Sequence, residues 1–410
     1  MTEEQTVTHS SPTIPATRRG ALPLAFLVFF IDGYDLFVLG TVGPSLLHHA
    51  EWDVSPGTLG TLGSVTAAGM PLGSLLAGWA SDRWGYRLPM AASVAWVSVC
   101  MLVAGLAPGL GLFGAARFGT GIGIGALAPV VGAFVAGAAP KGRRALHLAV
   151  AMGAIGVGGT GCALLGRLLL PETPFQRLFL IGALPLLAVP LIWRTVPARG
   201  RTAGSGQDRV PVGALFAPAG RRVTVLFCAT AFMSLALLFS TTAWLPTVML
   251  RSGYDLKSSL EFSIAFTIGA SVGVMGLALL ADRGHLKAVT LGCFLLAACA
   301  LFLLSTPQER WLLLVMSAVA GLGSLGGQNM VIACMSAYFP ARLRGTALGF
   351  CLAVGRAGAI IGPTYVAFAT DLSDSAKAGF YAFMIPAVLG AVLVSFLPRG
   401  MTPAGEPDRR

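Results

Sequence analysis

Residues 32–35 read Asp32-Gly33-Tyr34-Asp35 and sit inside an apolar run, 21–43, that is long enough to cross a bilayer. An acidic residue at the centre of a membrane helix costs about 2.5–3.5 kcal/mol on insertion scales, so such a residue faces a cavity or a partner. A spacing of i and i+3 sets both carboxyls on one side of a helix. One face of the first span is therefore expected to carry charge, with its partners supplied from elsewhere in the chain.

The composition supports a membrane setting. The chain has 410 residues, of which 55% are hydrophobic and 11% charged, and its mean hydropathy is +0.78. Soluble domains carry about 25% charged residues. The expected class is an all-α, polytopic membrane protein. The first apolar run is too long, and starts too far in, for a cleaved signal, so it is read as a retained helix. The net charge of +11 is spread between apolar runs rather than gathered into a patch, which speaks against a nucleic-acid partner. The seven cysteines lie in apolar runs without a CxxC spacing and are expected to be buried, reduced and structural. His48 and His49 have no metal-ligand partners at useful spacing, and no metal site is expected. There is no Gly-x-x-x-x-Gly-Lys-Ser/Thr loop for ATP and no polar stretch long enough for a soluble catalytic domain, so an enzyme is not expected.

Twelve apolar runs of spanning length follow one another: 21–43, 57–80, 88–107, 109–136, 145–167, 175–194, 222–246, 259–281, 287–306, 310–334, 345–369 and 377–397. With both chain ends placed inside the cell, inner segments hold twenty Lys and Arg and outer loops six; Arg117 and Arg356 fall within spans. That asymmetry follows the positive-inside rule and supports an even helix count in a plasma or inner membrane. Residues 195–221 are rich in Arg, Gly and Pro and divide the chain near its midpoint. The expected organisation is a disordered inner tail (1–18), a six-helix half (19–194), an inner linker (195–221), a second six-helix half (222–398) and a short inner tail (399–410).

The halves resemble one another at an offset of 200. Asp82-Arg83 corresponds to Asp282-Arg283, Pro140 to Pro340, Gly121 and Gly123 to Gly321 and Gly323, and Gly158 to Gly358. Two parallel six-helix halves are an arrangement of transporters, with the substrate held between them near the midplane. Asp32 and Asp35 break the repeat, because they fall opposite an apolar segment, 232–238, with no acid. A feature of one half alone points to function more than to scaffold.

After the second run the chain reads Gly78-Trp79-Ala80-Ser81-Asp82-Arg83-Trp84-Gly85-Tyr86-Arg87. This resembles the Gly-x-x-x-Asp-Arg-x-Gly signature of the major facilitator superfamily, with Gly78, Asp82, Arg83, Gly85 and Arg87 matching. The resemblance implies the two-half, twelve-helix fold and makes these residues candidates for a conformational latch; the alternative is a solvated turn. Gly78 is expected to permit close helix packing. Arg117, ahead of Gly119, Gly121, Gly123 and Gly125, is similar to the fourth-helix motif of the superfamily. It either pairs with Asp32 or Asp35 or snorkels from the helix end. Residues 154–161 are Gly-rich without the Pro of the superfamily's antiporter motif, which leans away from export.

A narrower resemblance, to the aromatic acid:proton symporter family, rests on three places. They are Asp32-Gly33-Tyr34-Asp35 with Gly40, Trp244-Leu245-Pro246-Thr247, and the stretch from Gly326-Gly327-Gln328-Asn329 to Gly355-Arg356-Ala357-Gly358 and Gly362-Pro363. Two departures, no Glu before Pro140 and Gln176 in place of a Trp, allow a substrate other than the usual benzoate-like acids.

Arg356 is the leading candidate for anion binding, since a guanidinium grips a carboxylate through two hydrogen bonds. Its alternative is structural pairing with Asp32 or Asp35. Tyr34, Arg117, Gln328, Asn329 and Trp244 are further substrate candidates. The two amides contact ring substituents or hold helices together; Trp244 stacks on a ring or anchors at the interface. His147 is read as a satisfied interfacial residue.

The expected function is proton-coupled uptake of a small aromatic carboxylate. Asp32 or Asp35 takes a proton, which frees Arg356 or Arg117 for the anion. Protons are the coupling ion, no other cofactor is expected, and the unit is a monomer in the bilayer. The alternatives are symport of another organic acid, export of a drug or metabolite, and ligand sensing without flux.

Overall fold

The computed structural model describes residues 17–49, 51–139, 144–197, 211–218, 220–281, 285–372, 375 and 377–398. Among them there are twelve spanning helices and no strand. The first half comprises α1 (Thr17–Leu47), α2 (Pro56–Trp84), α3 (Arg87–Gly105), α4 (Leu110–Ala138), α5 (Arg144–Leu169) and α6 (Gln176–Thr195). The second comprises α7 (Arg221–Arg251), α8 (Leu256–Leu280), α9 (Leu286–Leu304), α10 (Arg310–Tyr338), α11 (Ala341–Asp371) and α12 (Lys377–Ser395). Each expected apolar run lies on one helix. Several helices run on past the apolar stretch, because backbone hydrogen bonding does not stop where hydropathy falls. Residues 1–16 and 399–410 of the expected tails, 198–210 and 219 of the linker, and the Asp282-Arg283 repeat of the loop motif lie outside the described residues, while Thr17 and Arg18, expected in the disordered tail, already belong to α1.

Local signals set the helix ends. Ser55 Oγ accepts from the Thr58 amide at 3.1 Å and starts α2, with Pro56 at its first turn. Gly85 ends α2 in a left-handed conformation (φ 73°), and its amide donates to the Ser81 carbonyl. Two spans are interrupted. In α6 a 3-10 turn, Leu184–Ala188, carries Pro185 and separates two short α-helical pieces. In α10 a π-helical turn, Leu322–Gly326, ends two residues before Gln328. Such turns often mark functional sites.

The repeat read from sequence is physical. A Cβ on Gly121 would run into the Thr66 backbone; one on Gly321 would run into the backbone of Phe266, one repeat later in α8, so the same α4–α2 approach recurs as α10–α8.

 The pair Gly123 and Gly323 repeats it against α3 and α9, at Val97 and Ser93 in one half and at Ala297 and Cys293 in the other. Helices without side chains at these points come close enough for van der Waals packing to hold them in lipid.

The halves meet along α1–α7, α2–α11 and α5–α8. Ser64 and Thr364 share a hydrogen bond of 2.6 Å, and the Thr160 hydroxyl donates to Thr267 at 2.8 Å. Gly40 packs on the backbone of Thr242. Arg167 of α5 bonds Glu261 of α8 at 2.8 Å, and Arg310 of α10 bonds the same carboxylate. These contacts run from mid-depth to the face of the bundle remote from the chain ends. The halves are joined on that far face.

Candidate functional site

The site is built outward from α1. Asp32 and Asp35 are three residues apart, about 60° around the helix, and both are buried, at 6% and 0% exposure. That difference in direction sends them to different partners. Arg356 of α11, in the other half, is the cation that acts on Asp32. Arg117 of α4, in the same half, is the cation that acts on Asp35. One pair crosses between the halves; the other lies inside the first. The shared charged face expected from the i, i+3 spacing is thus divided.

Neither pair is closed by hydrogen bonds. Asp32 Oδ1, both carboxyl oxygens of Asp35, Arg117 Nε and Arg356 Nη1 are buried and have no hydrogen-bond partner. Buried polar atoms are nearly always bonded, so these five mark a place organised for something other than rigidity. A charge that has lost water without gaining hydrogen bonds is ready to exchange partners.

Arg117 is 1% exposed, which rules out snorkelling. Its guanidinium lies 5.9 Å from the Phe179 ring centroid and 3.9 Å from Met101 Sδ. It also borders a void of about 20 Å³ between the halves, with Thr66, Thr242 and Pro363. That is the size of a single water. Arg356 is half-buried at the middle of α11. Gln328 is buried with an unpartnered Oε1, just beyond the π-helical turn, and Asn329 beside it is half-buried.

Three candidates sit elsewhere. Trp244 is fully buried and its Nε1 donates to the Pro363 carbonyl at 3.0 Å, pinning α7 to α11 within one half. It is neither an interfacial anchor nor free to stack on a ring, because an indole with both its face and its N–H engaged has nothing left to offer. The Tyr34 hydroxyl donates to the Leu178 carbonyl at 2.8 Å and ties α1 to α6, away from the interface between the halves. Gly78 is exposed, and a Cβ there would meet nothing within 4 Å, so it does not serve close packing.

The rest of the loop motif holds the first half together. Arg87 Nε donates to the Trp193 carbonyl at 2.6 Å, a second donation comes from Nη2, and the guanidinium stands 4.8 Å over the indole. Arg83 is exposed at the end of α2, and the Asp82 side chain lies outside the described residues. The cysteines differ from expectation in two places. Cys299 is exposed on α9, as an apolar residue on a lipid-facing surface can be, and Cys228 is half-buried with its sulfur 3.5 Å from Cys351 Sγ. Among the described residues no three His, Cys, Asp or Glu side chains converge as metal ligands.

Sequence reading missed Glu261, although it is the one acid inside the run 259–281. It also missed Ser234, buried on α7 with an unpartnered hydroxyl, and Gly182. A Cβ on Gly182 would run into the Met101 methyl and stand 3.1 Å from the Tyr34 ring, so the missing side chain makes room for those two.

The family model described as Major Facilitator Superfamily matches residues 25–363 and 264–410. The chain belongs to the major facilitator superfamily. It is a multi-pass membrane transporter, not an enzyme. Among superfamily members it is 31% identical over 409 residues to a protein named benzoate transport protein, from Acinetobacter baylyi, covering 90% of this chain and 87% of that one. It is 32% identical over 398 residues to a gentisate transporter of Corynebacterium glutamicum, covering 94% and 89%. The fold matches the xylose transporter XylE from E. coli, solved in a partially occluded inward-open conformation, with a TM-score of 0.75 at 17% identity, covering 93% and 98%.

Proposed function

We propose that this transporter imports a small aromatic carboxylate of the benzoate or hydroxybenzoate type together with protons, by alternating access. The observation that carries the reading is the opposition of Asp32 in one half and Arg356 in the other, which act on each other electrostatically while Asp32 Oδ1 and Arg356 Nη1 are buried without a hydrogen-bond partner. The names of the relatives, benzoate and gentisate transporters, supply the substrate class.

The working cycle follows from electrostatics. A proton on Asp32 cancels its hold on Arg356, whose guanidinium is then free to take a carboxylate through two hydrogen bonds. Gln328 and Asn329 meet the ring substituents. The halves rock, the proton leaves on the other side, and Asp32 reclaims Arg356, which expels the anion. Asp35 and Arg117 repeat this logic inside the first half and transmit protonation to the packing of α1 against α4. In the conformation described, the contacts on the far face close the path there, and Arg167, Glu261 and Arg310 form the clamp. Gly85 and Arg87, with Asp82 and Arg83, shape the latch on the opposite face.

By the distribution of Lys and Arg, the face carrying the chain ends is cytoplasmic and the membrane is the plasma or inner membrane. The unit is a monomer that needs no cofactor besides protons. One proton with one monoanion moves no net charge and is driven by the pH gradient; a second proton adds about 2.3 kcal/mol per 100 mV. The test is uptake of labelled benzoate and gentisate into proteoliposomes with an acidic exterior. Accumulation that collapses on adding a protonophore is expected. Uptake indifferent to the gradient would remove proton coupling from the account.

A further inference from the structure

The second half carries two thiols that take no part in the transport cycle. There α7 and α11 touch along a line of glycines. A Cβ on Gly355 would stand 3.0 Å from the Ala231 methyl, and one on Gly362 would stand 2.9 Å from the Ala236 carbonyl oxygen. The Trp244 N–H on the Pro363 carbonyl closes the far end of that line. One turn before Gly355 stands Cys351, and just before Ala231 stands Cys228; their sulfurs are 3.5 Å apart. A disulfide needs Cα atoms about 4.4–6.8 Å apart, a spacing that suits helices in contact one turn away, and its sulfurs lie about 2.05 Å apart. The two sulfurs thus have about 1.5 Å to close, a matter of side-chain rotation rather than of moving helices.

The two thiols differ in access. Cys351 is fully buried, with its sulfur 3.9 Å from the Thr224 carbonyl oxygen. Cys228 is half-buried. It lies about three turns before Phe239 on the same side of α7, and Phe239 borders the void between the halves. Cys228 therefore belongs to the face of α7 turned toward the space between the halves. It stands nearer the chain ends than the depth at which the described contacts join them, so a small oxidant reaches it through water. Cys299 lies on a lipid-facing surface, and Cys100, Cys162, Cys293 and Cys334 are buried.

We propose that Cys228 and Cys351 form a reversible redox pair, in which hydrogen peroxide oxidises the reachable thiol and the buried one resolves it. The Cys228 thiolate attacks one peroxide oxygen, the O–O bond breaks, and the hydroxide released takes up the thiol proton and leaves as water. Cys351 then attacks the sulfenic sulfur. The S–S bond forms, the S–O bond breaks, and the hydroxide leaves with the Cys351 proton as a second water. Two thiols lose two electrons and the peroxide gains them. The disulfide ties helices that are already packed together and leaves the interface between the halves untouched. Without Cys351, the sulfenic acid goes on to sulfinic acid, which is irreversible and fixes a negative charge on the wall of the space between the halves. Transient, redox-sensing disulfides are the kind that reducing compartments contain.

The test treats the full chain in phosphatidylcholine nanodiscs with hydrogen peroxide and maps its cysteines by mass spectrometry without reduction. A peptide pair joined through Cys228 and Cys351 is expected in most chains. Free thiols should fall from the seven of the sequence by the two that join, and dithiothreitol should restore them. In Cys351→Ser, Cys228 should instead carry sulfinic acid that dithiothreitol does not remove. Neither readout depends on what the protein carries, and the parent readout stands alone if the serine variant does not fold. Cys228 left reduced in the parent, a bond from Cys228 to any other cysteine, or sulfinic acid at Cys228 as abundant in the parent as in Cys351→Ser would each overturn the pair.

Discussion

The two halves share a scaffold and differ in charge. Gly158 of α5 packs on the Phe30 carbonyl and Gly358 of α11 on that of Phe232, which aligns α1 with α7 at an offset of 202. Asp32 and Asp35 then correspond to Ser234 and Leu237. Arg117 corresponds to Ser317, whose hydroxyl donates to the Phe262 carbonyl at 2.7 Å as ordinary helix glue. Arg356 corresponds to Gly156, which lets α5 touch α8 at Thr267 and Ser271. The first half thus holds one buried acid with a cation of its own, Asp35 with Arg117, and one acid left over. The second half holds the cation that answers it. Neither half is balanced alone at mid-depth, and the imbalance is what makes their relative position depend on a proton or an anion.

Copying one half into the other breaks this arrangement in graded steps. Arg117→Ser installs the residue of α10 and leaves Asp35 buried without a cation. A loss of about 3–5 kcal/mol is expected, read as a lower unfolding temperature in detergent. Adding Asp35→Leu, the residue of α7, should recover most of it. An Arg117→Ser variant as stable as the parent would show that the pair is not one.

Arg356→Lys keeps the charge but loses the two-pronged grip. Benzoate binding should weaken about 10- to 100-fold, or 1.4–2.8 kcal/mol, measured by titration in detergent. Smaller still is the effect of Glu261→Gln, which releases both arginines of the far-face clamp. Partly exposed ion pairs contribute about 0.2–1 kcal/mol each. Disulfide trapping between Ser64→Cys and Thr364→Cys should therefore fall only a few-fold, and no change would remove the clamp from the account.

The smallest effect concerns the caps. Ser55 starts α2, and one repeat on, Asp255 starts α8 by accepting from the Ser258 amide at 3.4 Å. The Ser258 hydroxyl and nearby amides hold the Asp255 carboxyl below its ordinary value of 3.8. Because the folded value is depressed, its contribution to stability is present above the unfolded value and is lost as pH falls through the folded one. Asp255→Ser should flatten that acid limb of an unfolding-midpoint-against-pH curve and leave neutral pH unchanged.

Much of this was legible in the chain. Hydropathy alone placed twelve spans, since a bilayer imposes both length and apolarity on a helix. The glycines of α4 and α10 disclosed the repeat, because close approach tolerates no side chain. Arg356 stood out as a cation inside an apolar run with no acid in its own half nearby. What the sequence did not disclose depends on rotation about helix axes. Asp32 and Asp35 differ by about 60°, and only the packing of α1 against α4, α5, α6 and α7 decides which arginine each one faces. Trp244 reads as a loose aromatic near a helix end until its N–H is seen on the Pro363 carbonyl. A Gly and a Pro three residues apart, Gly182 and Pro185, hint at the break in α6 without saying that it is a 3-10 turn.

The central claim is that Asp32 carries the proton that releases Arg356. The direct measurement compares benzoate accumulation under an imposed pH gradient with benzoate exchange at equal pH, in proteoliposomes bearing Asp32→Asn. The amide is permanently neutral, so Arg356 stays free for the anion. Exchange should persist while gradient-driven accumulation falls to the level seen without a gradient. Accumulation undiminished in Asp32→Asn would contradict the account.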